Sequence, residues 1–271
     1  LLAATDLRFS YGGAAVVDGV SVSIDRGRFA GILGPNGSGK TTLLRLLAGV
    51  LRPQAGRVTL DGASLASIPR RRLARRIAVV PQETHLAFDY RVIEIALMGR
   101  YPYLGPFELE GPEDVAAARR ALAATGTLHL ADRSFDTLSG GEKQRVIIAS
   151  ALTQLEAPAS PGANGAAQIL LLDEPTAALD LHYQLEVAAL LRRLNAEHGL
   201  TVVVSTHDLN FAAAVCEVLV LLRDGRVVAA GPTAGVLTPD AVRALYGVDA
   251  DVRYHEAAGH LTVVPLAPAA G

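Results

Sequence analysis

The stretch Gly34-Pro35-Asn36-Gly37-Ser38-Gly39-Lys40-Thr41-Thr42 constrains this chain more than any other, because it fits G-x-x-x-x-G-K-[ST] without a mismatch. Before it, Phe29-Ala30-Gly31-Ile32-Leu33 is an apolar run of strand type, and after it Thr42 to Ala48 is rich in helix formers. In that context glycines turn backbone N–H groups inward on phosphate oxygens, and a helix N-terminus adds partial positive charge. Lys40 is then expected to reach β- and γ-phosphates, and the Thr41 hydroxyl to face Mg²⁺.

Composition narrows the rest. The 271 residues are enough for one large α/β domain or two small lobes, and a formal net charge of −2 argues against binding nucleic acid by bulk charge. No apolar run approaches the ~20 residues of a membrane-crossing helix, and the start lacks a basic region followed by an apolar signal. A cytosolic chain is expected. Cys216 is the only cysteine and sits in an apolar helical stretch, so a buried thiol is expected and an internal disulfide is excluded. The seven histidines show no ligand spacing, so a metal is expected to arrive with a nucleotide.

Alternating runs at Thr5–Tyr11 and Val20–Asp25, with Arg57–Leu60, predict an antiparallel sheet beside the nucleotide core. In the basic run that follows, Leu73 and Ile77 lie four apart and are expected to share a helical face, leaving the arginines solvated. Ile77–Val80 also reads as a core strand ending at Pro81-Gln82. Residues 89–155 turn helical and predict a helical lobe, interrupted by the aromatic loop Tyr101–Phe107. A Pro/Gly/Ala stretch at 156–167 predicts a surface loop. Strand-like runs at Gln168–Asp173 and Thr201–Ser205, separated by a helical Leu181–His198, predict a doubly wound parallel sheet. A hairpin pairing Val252–Tyr254 with Leu261–Val264 closes the chain.

Ile169-Leu170-Leu171-Leu172-Asp173-Glu174 delivers two carboxylates to the end of a core strand, where a parallel sheet presents its ligand. Asp173 is expected to hold Mg²⁺ through water, and Glu174 to polarise the water that attacks the γ-phosphorus. Leu138-Ser139-Gly140-Gly141-Glu142 opens another helical run with a hydroxyl and exposed N–H groups, a second phosphate binder. Two such binders in one chain call for a second nucleotide or a second copy.

These motifs, in this order, resemble the nucleotide-binding subunit of ABC transporters, in which L-S-G-G-E/Q is the family signature. The resemblance implies a P-loop NTPase α/β fold: an ABC-type domain over 1–250, with an antiparallel β subdomain and a helical subdomain, and a C-terminal hairpin extension at 251–271. It further implies that Tyr11 stacks on adenine, that Gln82 joins Mg²⁺ and senses the membrane partner, that Asp180 lies at a dimer seam, and that His207 contacts the γ-phosphate. It implies too that Ser139 and Gly141 act in trans, on the ATP held by the other copy of a homodimer, with Gly140 beside them among the nucleotide-binding residues. Partners implied are permease subunits and, indirectly, a periplasmic or extracellular substrate-binding protein, with the chain peripheral on the cytoplasmic face of the membrane and no nucleic acid. The runs Met98–Tyr103 and Leu245–Val248 resemble ATPases of importers for ferric siderophores, haem and cobalamin. ABC ATPases of other transport classes, soluble ones acting on nucleic acid or ribosomes, and nucleotide-dependent interaction modules are the alternatives. Translation-type relatives usually carry two nucleotide domains, and repair types carry long coiled-coil or zinc insertions, which this chain lacks.

Overall fold

The computed structural model describes residues 1–84, 86–156, 168–177 and 179–269. In chain order the elements are β1 (Leu2–Phe9), β2 (Val17–Ile24), β3 (Phe29–Leu33), α1 (Lys40–Leu47), β4 (Ala55–Leu60), β5 (Ala63–Ser64), α2 (Arg70–Ala74) and β6 (Ile77–Val80). There follow α3 (Val92–Met98), α4 (Pro112–Ala124), α5 (Gly140–Leu155), β7 (Ile169–Asp173), α6 (Leu181–His198) and β8 (Thr201–Thr206). The chain ends with α7 (Leu209–Val215), β9 (Val218–Arg223), β10 (Arg226–Pro232), α8 (Thr233–Val236), α9 (Pro239–Tyr246), β11 (Val248–His255) and β12 (His260–Pro268). The chain divides into two compact units, one of Leu1–Ser67 with Asn195–Gly271, the other of Ile68–Leu194.

In the first unit β2, β1, β4 and β5 form an antiparallel sheet in that order. Its first strand starts earlier than the alternation suggests, at Leu2, which lies opposite both Ile24 and Leu60. A second set of strands runs β10, β9, β3, β8. Here β3 is parallel to β8 and to β9, so it is hydrogen-bonded on both edges, and all five of its residues are buried. Continuous apolar sequence rather than alternation is what such a strand requires. Gly31 sits where a Cβ would lie 2.7 Å from the Cys216 sulfur, so the lone thiol is sealed against β3, and burial pushes its pKa up. The hairpin β11–β12 is longer than its sequence signal, pairing Val248 with Pro268 at one end and His255 with His260 at the other.

In the second unit α2 stops at Ala74, and Ile77 opens β6, so Leu73 and Ile77 do not share a helix face. The strand claims Ile77 because β6 pairs in parallel with β7, Ile77 opposite Ile169 and Val80 opposite Leu172. The helical lobe packs α3, α4 and α5 around Val92, Ile95, Leu122, Phe135 and Val146. From residue 157 the Pro/Gly/Ala stretch lies outside the described residues.

The run Met98–Tyr103 terminates α5. Gly99 fits because a Cβ there would lie 2.2 Å from the Ser150 carbonyl oxygen. Arg100, buried, donates to the carbonyls of Thr153 (3.2 Å) and Glu156 (2.7 Å), and the Tyr103 hydroxyl donates to that of Gln154 (2.9 Å). Gln168 donates to the Leu155 carbonyl at 2.5 Å. The otherwise orphaned acceptors at this helix end thus each gain a donor. Two guanidinium groups lie over the Tyr103 ring, Arg100 at 3.9 Å and Arg75 at 4.7 Å from its centroid.

Arg100 is charge-balanced by Asp114 at 2.8 Å, with side-chain exposures of 4% and 14%. Burial alone would raise the Asp114 carboxyl, but hydrogen bonds from Arg100 and the Gly111 N–H more than offset it and leave its pKa below the ordinary 3.8. A depressed carboxyl contributes stability that is present above the unfolded pKa and lost as pH falls through the folded one. Asp114→Ala strands a buried guanidinium, and a loss of about 3–5 kcal/mol in urea unfolding at neutral pH is expected. The same variant should lose less stability than the wild type as the pH is lowered past that carboxyl's titration.

Candidate nucleotide site

The phosphate loop begins where β3 ends. The Gly34 N–H donates to the Thr206 carbonyl at 3.3 Å, and a Cβ on Gly34 would lie 2.1 Å from the Leu222 carbonyl oxygen and 2.7 Å from Ser38 Oγ. Only glycine fits a backbone seated this closely on its neighbours. Ser38 N–H turns back to the Pro35 carbonyl at 3.2 Å, Asn36 and Gly37 are exposed at the apex, and Gly39 caps α1 with φ 99°. Gly39 contributes no side chain to the first-turn N–H groups of α1, which leaves that helix start suited to an anion. Lys40 is 5% exposed, and its ammonium folds back to donate to the carbonyls of Gly34 (3.0 Å) and Pro35 (3.1 Å). Ser38 Oγ is buried without a hydrogen-bond partner. A buried hydroxyl lacking a partner beside a lysine and an uncapped helix start fits a phosphate group.

Thr41 is half-buried, and Thr42 is buried with its hydroxyl 3.5 Å from that of Tyr11. The Tyr11 ring is 62% exposed and meets Phe9 edge-on at 4.9 Å. His207 follows β8, and since Leu33 lies opposite Thr206, Gly34 and His207 leave the same end of the paired strands. The His207 side chain is exposed, while its carbonyl accepts from the Tyr246 hydroxyl at 3.1 Å. Sequence reasoning missed two braces of the loop. The Val16 carbonyl would lie 2.5 Å from a Cβ on Gly39, and Gly225 N–H donates to the Ser38 carbonyl at 3.1 Å. Asp224-Gly225 is readable as a turn, but nothing in the sequence ties it to Ser38.

In the second unit the parallel pairing of β6 with β7 sends Gln82 and the Asp173-Glu174 pair out of the same strand ends. Gln82 is exposed, Asp173 is 6% exposed, and Glu174 is half-buried. Glu174 has φ 45°, a left-handed backbone that costs a non-glycine residue about 1–2 kcal/mol and marks a strained turn. Ser139 caps α5, with Glu142 N–H donating to its hydroxyl (3.3 Å) and its own N–H donating to the Glu142 carboxylate (2.8 Å). That backbone N–H is the main reason the Glu142 carboxyl sits below its ordinary pKa. Gly140 is exposed, whereas Gly141 is buried against the Tyr183 ring, another contact that sequence reasoning missed. Asp180 is exposed, and its carbonyl accepts from Gln184 N–H at 3.0 Å at the start of α6.

Because a side chain at Gly34 meets backbone while Gly37 has open space around it, the two glycines should respond differently to substitution. Gly37→Ala is expected to cost only the φ 79° penalty, about 1 kcal/mol. Gly34→Ala should cost about 3 kcal/mol or more through overpacking. Thermal unfolding without nucleotide separates the two.

The family model for ABC transporters matches residues 17–177. The chain is 45% identical over 254 residues to the hemin import ATP-binding protein of Bordetella pertussis, covering 94% of this chain and 95% of that one. It is 39% identical over 260 residues to the ferric enterobactin transport ATP-binding protein of Escherichia coli K12, covering 96% and 92%. Among solved structures, an inward-facing one described as a metal-chelate type ABC transporter superposes with a TM-score of 0.82 at 31% identity, over 98% of this chain and 96% of that one. A dimeric bacterial ABC transporter cassette superposes with a TM-score of 0.71 at 29% identity, over 86% and 99%. The motif order, the loop geometry and these likenesses agree: the chain belongs to the ABC transporter family, as one of its ATP-hydrolysing, ATP-binding cassettes.

Proposed function

We propose that this chain is the ATP-hydrolysing subunit of an importer for a metal chelate such as haem, a ferric siderophore or cobalamin. The observation that carries the reading is the likeness to hemin and ferric enterobactin import proteins, which runs through more than nine-tenths of the chain. In this reading residues 1–250 are the ATPase domain and 251–271 an appended hairpin. Two copies associate with permease subunits at the cytoplasmic face of the membrane, and a substrate-binding protein acts through the permease. Among the described residues no helix is long and apolar enough to cross a membrane.

Lys40 and backbone N–H groups of the loop and of the start of α1 hold the β- and γ-phosphates, which fits the buried ammonium and the Ser38 hydroxyl without a partner. Tyr11 stacks on adenine, and His207 contacts the γ-phosphate. The donors that would hold Mg²⁺ are Thr41, Gln82 and, through water, Asp173, and the ion supplies charge neutralisation there. Glu174, at the left-handed turn that ends β7, orients and polarises the attacking water. Ser139, Gly140 and Gly141 close on the ATP of the other copy, with Asp180 at the seam. Binding at the phosphates closes the pair, and hydrolysis reopens it.

Glu174→Gln should keep ATP affinity, lose about 10²–10⁴-fold in turnover and accumulate as a dimer in size exclusion with ATP. Unchanged hydrolysis would remove Glu174 from this role. Lys40→Ala should weaken nucleotide binding by about tenfold or more in a titration, the loss of a charged hydrogen-bonding group. With its permease in vesicles, the ATPase should be stimulated by a binding protein loaded with haem, a ferric siderophore or cobalamin. Indifference to all three would overturn the cargo class.

A further inference from the structure

The first turn of α6 ties together two segments that the chemistry uses separately. On one side, the Tyr183 ring presses on the backbone of Gly141: a Cβ there would lie 2.4 Å from Cδ1 and 2.7 Å from Cγ of the ring. Gly140 faces Leu179, with its absent Cβ 3.4 Å from a Leu179 methyl. On the other side, the neighbouring Gln184 amide donates to the carbonyls of Leu179 (2.9 Å) and Thr176 (3.4 Å), in the segment that follows Glu174. Glu186, one turn along, accepts from Arg145 of α5 at 2.7 Å and lies 3.3 Å from His182, whose ring meets Tyr183 edge-on at 5.4 Å.

We propose that Tyr183 is a positioning residue for ATP hydrolysis, locking the Ser139–Gly141 turn to the segment after Glu174 so that the two move as one body. The proposal rests on the roles given above to Ser139, Gly141 and Glu174. A ring in direct contact with an α-carbon cannot slide without opening a gap or a clash, since packed interfaces shift between discrete arrangements rather than deforming. Gln184 fixes the same turn of α6 to Thr176 and Leu179, so a displacement of the chain beyond Glu174 is carried through α6 to the start of α5. In a dimer those two segments serve different ATP molecules. Tyr183 then transmits the state of one site to the other within a single copy.

The test uses the full chain as wild type, Tyr183→Phe, Tyr183→Leu, Tyr183→Ala, Gly141→Ala and the double variant Gly141→Ala/Tyr183→Ala. For each, ATP turnover, affinity for a fluorescent ATP analogue and the urea unfolding midpoint are measured. Tyr183→Phe keeps the ring and should stay within about twofold of wild-type turnover, whereas Tyr183→Ala and Tyr183→Leu should lose about tenfold or more in kcat with analogue affinity within about twofold. Gly141→Ala should lower the urea unfolding midpoint when Tyr183 is present but change it little when residue 183 is already alanine, because the ring it strikes is gone. Wild-type turnover in Tyr183→Ala would overturn the proposal, as would an equal cost of Gly141→Ala in both backgrounds. If the wild type binds the analogue but hydrolyses no ATP, the proposed function itself fails, and with it this role. That failure is distinct because the double-mutant cycle in urea still reports the Gly141–Tyr183 contact.

Discussion

The seat of Gly34 is the constraint on which the first unit turns. Its backbone lies where a single methyl group would strike the Leu222 carbonyl, and its N–H is held by Thr206. Those two contacts come from β9 and β8, which flank β3, so the loop is clamped between the strands on either side of its own. With its first residue fixed, the chain has only Pro35 to Ser38 in which to turn before Gly39 opens α1. The result brings a helix start, a buried ammonium and a buried hydroxyl into one short stretch of chain. The donors of this loop are placed by the sheet before any ligand arrives, the preorganisation on which the proposed phosphate binding relies.

The second unit handles strain differently. A left-handed glutamate survives at Glu174 because what lies on both sides of it is immobile: β7 is wholly buried before it, and Pro175 and Thr176 are buried after it. The signature turn is likewise held from two directions, by its own Ser139–Glu142 capping box and by the Tyr183 ring behind Gly141.

The phosphate loop is legible in sequence because its chemistry dictates residue types at fixed spacing, and β3 and β7 are legible because strands bonded on a buried sheet must be apolar throughout. The start of β1 is not, since Leu2-Ala3-Ala4 carries no alternation, and its place is settled by partners at Ile24 and Leu60. The reading of Leu73 with Ile77 fails for a related reason: a four-residue spacing is compatible with a helix, but parallel pairing with β7 claims Ile77 for a strand. Of the contacts around the candidate site, Val16 and Gly225 act through their backbone and Tyr183 through its ring, each on a residue far away in sequence, which leaves no local pattern. Met98–Tyr103 is legible as a likeness to importer ATPases, and its physical reason emerges only when Arg100 and Tyr103 are seen on the last carbonyls of α5.

Helices commonly stop because the next residues stop them, through a left-handed glycine or a proline. Here Arg100, Tyr103 and Gln168 occupy the terminal carbonyls of α5 from outside the segment 157–167. The end of α5 is therefore set by side chains brought to it from elsewhere in the chain, so the position of this helix end depends on tertiary contacts and not on a stop signal of its own.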